Sequence, residues 1–185
     1  MKKVLLVLTV LVAGMATSFA QSSDYKAFKV DVGGLYAIPS GDGVKAGIGF
    51  YLEPKYNITN NIALGLKMEW AAMGAEEEEG MSVSVSTLGT YQLTGDYYFT
   101  DSKVRPFAGL GAGIYSMGTV EATAGESTFE ADYGSKFGFA PRVGVLIGHF
   151  RLGLEYNVIT GIDSELESRN YLSFKIGVEI GGGKK

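Results

Sequence analysis

The chain has 185 residues, one domain's worth once a leader is removed, and it holds 27 Gly, 11 Tyr and 10 Phe at a mean hydropathy of only +0.13. Such a composition suits a β protein whose apolar residues are thinned by alternation. The absence of Cys excludes a disulfide framework and lipid attachment at an N-terminal Cys. A formal charge of −4 argues against nucleic acid as a partner.

Residues 1–20 read as a secretory signal peptide. Lys2 and Lys3 form its basic start, residues 4–12 its apolar core, and Ser18-Phe19-Ala20 puts small residues at the sites that predict cleavage after Ala20. That core is shorter than the roughly 20 residues a spanning helix needs. Later apolar runs are all broken by Gly or charge, so residues 21–185 are expected to form one exported β-barrel domain.

From Tyr25 onward the apolar residues recur with period two, the mark of strands with one apolar and one polar face. The first strand sets Phe28, Val30, Val32, Tyr36 and Ile38 against Lys29 and Asp31, and the second sets Ile48, Phe50, Leu52, Tyr56 and Ile58 against Glu53, Lys55 and Asn57. In the third, Ile62, Leu64, Leu66, Met68 and Trp70 oppose Lys67 and Glu69. The fourth, over about residues 83–99, sets Tyr91, Leu93, Tyr97 and Phe99 against Thr90, Gln92, Thr94 and Asp96. The fifth opposes Leu110, Ala112 and Ile114 to Arg105, Gly109, Gly111 and Gly113. Three more follow: Phe137, Phe139, Val143, Val145 and Ile147 against Lys136 and Arg142; Leu152, Leu154, Tyr156 and Val158 against Arg151 and Glu155; Leu172, Phe174, Ile176, Val178 and Ile180 against Lys175 and Glu179. The links alternate as well. Short turns near Asn60, at 100–103 and at 148–150 alternate with longer, mostly acidic links starting near Pro39, Ala75, Thr119 and Gly161. Eight strands with short periplasmic turns and longer outer loops predict an all-β fold, an eight-stranded antiparallel up-and-down transmembrane β-barrel with both termini in the periplasm.

Alternation by itself also fits a soluble lipocalin-like ligand carrier with its apolar face inward. The polar face favours the membrane: it mixes many glycines with nearly balanced charge, which suits a crowded lumen where an unpaired ion would be costly. Lys29, Asp31, Glu53, Lys55, Lys67, Glu69, Asp96, Arg105, Arg142, Arg151, Glu155, Lys175 and Glu179 are therefore the expected lumen ion-pair network. An eight-stranded barrel is just wide enough for side chains to fill, which makes that network structural; a narrow, gated channel is the alternative.

The second candidate surface is the set of outer loops. Glu76, Glu77, Glu78, Glu79, Glu126, Glu130, Asp132, Asp163, Glu165 and Glu167, with Asp42 and Glu121, face only Arg169, so a basic protein partner or divalent cations suit this surface. The glutamate run lacks the Asp/Asn and Gly alternation of a calcium loop, and no bound metal or cofactor is expected. Enzymatic chemistry is not expected either: the only His, His149, falls in a short turn, away from Ser82, Ser84 and Ser86. Gly109-Leu110-Gly111-Ala112-Gly113 is not a GxGxxG phosphate loop and no helix follows it.

Three segments carry a resemblance: Tyr56-Asn57-Ile58-Thr59-Asn60-Asn61-Ile62-Ala63-Leu64-Gly65, Val104-Arg105-Pro106-Phe107-Ala108-Gly109-Leu110-Gly111-Ala112-Gly113 and Gly153-Leu154-Glu155-Tyr156-Asn157. With them the chain resembles, over nearly all of residues 25–180, the small outer-membrane β-barrel family of OmpX-like, opacity-like and OmpA-transmembrane-type proteins. The resemblance implies an outer-membrane address, contact with membrane lipid and lipopolysaccharide, and a non-enzymatic role in adhesion or envelope integrity through exposed loops. The chain departs from the family's C-terminal aromatic signal: Lys175 and Gly177 fit, but Ile180 and Gly182 stand where aromatics belong. Assembly through an internal or variant signal is expected.

Overall fold

The computed structural model describes residues 25–40, 44–75, 82–83, 86–117, 120–124, 127–131, 134–161 and 170–184; the expected leader lies outside them. The strands are β1 (Phe28–Pro39), β2 (Val44–Asn57), β3 (Ile62–Ala75), β4 (Ser82–Val83), β5 (Ser86–Tyr98), β6 (Val104–Met117), β7 (Val120–Ala124), β8 (Ser127–Ala131), β9 (Ser135–Ile147), β10 (Phe150–Ile159) and β11 (Tyr171–Gly181). Eight of them close into a barrel in the order β1-β11-β10-β9-β6-β5-β3-β2, every neighbour antiparallel. The seam pairs the first strand with the last, from Lys29 opposite Gly181 to Pro39 opposite Tyr171. Closure leaves the barrel no open edge, the condition for crossing lipid with strands.

The remaining three strands form a small separate sheet, β4-β7-β8, in the longer links on the outer side. This corrects the reading of 83–99 as one strand: Ser82–Val83 pairs with β7, and the barrel strand starts at Ser86. The link after Thr119 likewise holds a hairpin, in which Glu121 stands opposite Glu130.

Side-chain burial is inverted relative to a water-soluble barrel. Ile48, Leu93 and Ile176 are 63–70% exposed on the outer wall, whereas Lys29, Lys67, Glu69 and Asp31 inside are 0% exposed. A soluble monomer rarely shows an apolar patch beyond a few hundred Å²; here the whole girth is apolar. Aromatic side chains collect toward both rims. Phe50 stacks on Trp70 with centroids 5.1 Å apart and Tyr91 meets Trp70 edge-on at one end, while Tyr97 and Phe99 pair at 5.4 Å at the other. These are the girdles expected at the two membrane interfaces.

Glycine on the inner wall makes room for large inward side chains. The Tyr51 hydroxyl lies where a Cβ of Gly177 would stand, the Phe107 ring where one of Gly144 would stand, and the Tyr115 ring against Gly138. We expect Gly177→Val to cost about 1–3 kcal/mol through overpacking against Tyr51 and the Val32 carbonyl. Urea titration of the barrel in detergent, followed by the heat-dependent gel shift, checks this; an unchanged midpoint would show that Tyr51 has space to move.

Candidate functional site: the charged lumen and its two ends

Six cations and six carboxylates form one connected array inside the barrel: Lys29, Lys55, Lys67, Arg142, Arg151 and Lys175 with Asp31, Glu53, Glu69, Asp96, Glu155 and Glu179. Asp96 is the hub. Its Oδ1 accepts from Arg142 Nε at 2.7 Å, and its Oδ2 accepts from Lys55 Nζ and Arg151 Nη2, each at 2.8 Å. Lys55 also donates to Asp31 at 2.6 Å, and Glu53 accepts from Arg142 Nη2 at 2.7 Å and from the Thr94 hydroxyl at 2.6 Å. A second knot lies further toward the outer end, where Lys67 and Lys175 share Glu69 and Glu155. At the inner end Lys29 pairs with Glu179 at 2.8 Å and reaches the main array through the Tyr98 hydroxyl, which also accepts from Arg151 at 3.0 Å. With equal numbers of both signs, each buried ion has a partner that offsets part of its desolvation cost.

The array is sealed at both ends. Toward the outer end, Gln92 donates to the Tyr115 hydroxyl, which donates to Asn157 Oδ1 at 2.8 Å, and the Tyr171 hydroxyl donates to Glu69. Beyond that layer Leu35, Ala37, Ala71, Met73, Leu88 and Ile159 pack with Tyr115 and Tyr171 as an apolar plug. Toward the inner end, Ala63, Tyr98, Phe107 and Leu146 form a second cluster, and the Arg151 guanidinium sits 3.7 Å from the Phe107 centroid. The cavity left beside Glu53, Arg142, Arg151, Glu155 and Lys175 measures about 10 Å³, space for a single water.

Arg105 is the exception among the expected lumen ions. It forms no ion pair with a described carboxylate; instead its guanidinium lies between the rings of Tyr25 and Tyr98, at 4.4 and 4.3 Å, and donates to the carbonyls of Thr100 and Asn60. The physical reason is position: Arg105 is the second residue of β6, at the inner end of the barrel, where Glu179 is paired with Lys29 and the backbone carbonyls of the short turns are the acceptors within reach. Of the acidic loop residues, Glu76, Glu77, Glu78, Glu79, Glu126, Asp132, Asp163, Glu165 and Glu167 lie outside the described residues, and Glu130 is placed only as part of β8. His149 occupies the two-residue β9–β10 loop after Gly148, whose φ of 63° gives the positive first position of a type II′ connection. Its Nδ1 faces the Glu179 carbonyl at 2.9 Å and so donates to it. The inward aromatics Tyr51, Tyr98, Phe107, Tyr115 and Tyr171 were missed as site residues, although each sits in phase with the charged residues of its strand; phase alone would have found them. Among the described residues no cluster of His, Asp and Glu is arranged to hold a metal ion.

A closed, ion-filled barrel with an apolar outer wall and aromatic rims defines a transmembrane barrel of the outer-membrane type. The chain belongs to the outer membrane protein beta-barrel domain family, whose model matches residues 6–180. No curated protein matches it in sequence. Among solved structures it is similar to Neisserial surface protein A, at 16% identity and a TM-score of 0.61, over 85% of this chain and 98% of that one. It is also similar to the attachment invasion locus protein Ail of Yersinia pestis, determined with the heparin analogue sucrose octasulfate, at 17% identity and 0.52 over 85% and 99%. The outer membrane protein OprG of Pseudomonas aeruginosa aligns at 12% identity and 0.53 over 89% and 99%. Likeness at these identities establishes the fold alone.

Proposed function

We propose that this protein is a non-enzymatic outer-membrane barrel, exported by the leader at residues 1–20, that acts as a rigid platform for adhesive or envelope-stabilising outer loops. The observation that carries the reading is the filled lumen: twelve ions pair with one another, apolar clusters pack toward both ends, and the space beside Glu53, Arg142, Arg151, Glu155 and Lys175 measures about 10 Å³, far short of a solute path. Free to meet other molecules are the outer wall, which contacts membrane lipid and lipopolysaccharide, and the outer loops, where binding surfaces on rigid scaffolds usually sit. Ail was determined with the heparin analogue sucrose octasulfate, which is anionic; the acidic loops of this chain call for the opposite, a basic protein surface or divalent cations. The single imidazole lies in an inner turn against a backbone carbonyl, a poor place for a catalytic base serving outer-leaflet substrates.

The mature chain, starting at Gln21 by intact mass, is refolded into planar bilayers and into vesicles. The expected result is no conductance steps, and capture on a polylysine surface that is lost when Glu76, Glu77, Glu78 and Glu79 are all changed to Gln, with the heat-dependent gel shift retained. Steady conductance altered by Arg142→Gln would replace this reading with a narrow channel.

A further inference from the structure

Tyr25, Lys184 and two of the short turns meet at the inner mouth of the barrel. Tyr25 and Lys184 extend the β1–β11 ladder by an isolated bridge, and the Tyr25 hydroxyl donates across the mouth to the Asp101 carbonyl at 3.2 Å. Gly181 and Gly182, with φ of 84° and 63°, turn the chain so that Gly182 packs on the Lys29 stem, where a Cβ would overlap it. The result is a cavity of about 420 Å³ walled by Tyr25, the 101–103 turn, Arg105, Gly148, His149, Glu179 and the 181–184 segment. That volume falls in the range of small-ligand sites, roughly 300–1,000 Å³.

Among the described residues the charge at this mouth does not cancel. The twelve lumen ions balance among themselves, and Glu179 is taken by Lys29. Lys103, Arg105 and Lys184 then face the cavity with Asp101 as the one remaining acid of its wall, and Asp101 forms no ion pair among the described residues. Arg105 is only 5% exposed. Its Nε and Nη2 are committed to the Thr100 and Asn60 carbonyls, and its plane is clamped between two rings, so Nη1 is held in place without a partner among the described residues. A rigidly oriented guanidinium at a cavity wall, backed by two lysines, has the geometry of an oxyanion receptor.

We infer that the periplasmic mouth binds a small oxyanion, a carboxylate or phosphate group, on Arg105, with Lys103 and Lys184 at its rim. The mature chain in lipid nanodiscs is titrated at constant ionic strength with inorganic phosphate and, separately, with acetate, while NMR follows the Arg105 Nε–H and the amides of 101–103, 148–149 and 181–184. The expected result is a saturable shift confined to these signals, with a Kd on the order of millimolar, and none at the Nε–H of Arg142 or Arg151. Saturation by phosphate alone assigns a phosphate-bearing ligand, and saturation by acetate admits a carboxylate; both support the site. Arg105→Gln weakens binding by about tenfold or more, the loss of a charge-assisted hydrogen bond. Should that variant lose its heat-dependent gel shift, Lys103→Gln decides, since this exposed residue lies outside the clamp, whereas Lys184 sits over the Tyr25 ring at 5.7 Å; loss of the Lys103 charge weakens binding severalfold. Shifts that rise linearly without saturating, or affinity unchanged in the variants, overturn the inference.

Discussion

Asp96→Asn is expected to destabilise the barrel by about 3–5 kcal/mol, the usual cost of removing one partner from a buried ion pair. The side chain keeps its size, so packing is nearly unchanged and the effect isolates charge. Lys55, Arg142 and Arg151 all donate to this one carboxylate at 2.7–2.8 Å. An asparagine offers one acceptor where two stood and turns an amide N–H toward a cation. Asp31 and Glu53 remain, but three cations then share two carboxylates in that layer. Urea titration in lipid vesicles, with the gel shift as readout of the folded barrel, measures the loss. Adding Lys55→Met to Asp96→Asn restores neutrality and is expected to recover part of it, because an uncharged replacement removes the unpaired ion as well as the pair. A single variant within about 0.5 kcal/mol of the parent, the scatter of ordinary surface substitutions, would mean that water or repacking compensates the cations and that the array is not a stabilising tie.

Phe107→Ala is expected to cost a similar amount, about 3–5 kcal/mol, for a different reason. The ring is 3% exposed, lies over Gly144 and Gly153, touches Tyr98 at a centroid distance of 5.7 Å and carries the Arg151 guanidinium on its face. Truncation removes apolar burial and a desolvated cation–π contact at once, and the glycines beneath have no side chains with which to fill the gap. The void would open beside the single-water cavity, so the variant is also expected to admit more water to the lumen, readable as faster exchange of the Arg151 side-chain N–H protons. Phe107→Leu keeps most of the volume and is expected to lose under about 1.5 kcal/mol. Equal losses for Leu and Ala would point to the ring's π face, and not its volume, as the main contribution.

Much of this architecture is a local property of the chain. Period two is set by the pleat of each strand, so the sides taken by Asp31 and Val32, or Lys67 and Leu66, are legible from immediate neighbours. The alternation of short and long links then orders the strands, and an even count brings first and last together. The small outer sheet was not legible, because a two-residue strand at Ser82–Val83 and a hairpin of two five-residue strands carry too little alternation to stand out from loop sequence.

The residue order alone set the eight barrel strands, the inward phase of the charges and the apolar outer wall, since each depends on residues close together in the chain. Which ions meet depended on the tertiary structure: Lys67 and Glu155 stand 88 residues apart and Arg142 and Glu53 stand 89 apart, brought together across the lumen by barrel stagger and closure. The same long-range geometry laid Tyr51 over Gly177 and left Arg105 between two rings at the inner end. Periodicity fixes a residue's side of the wall, and only strand register and the curvature of the closed barrel fix its height and what it meets there.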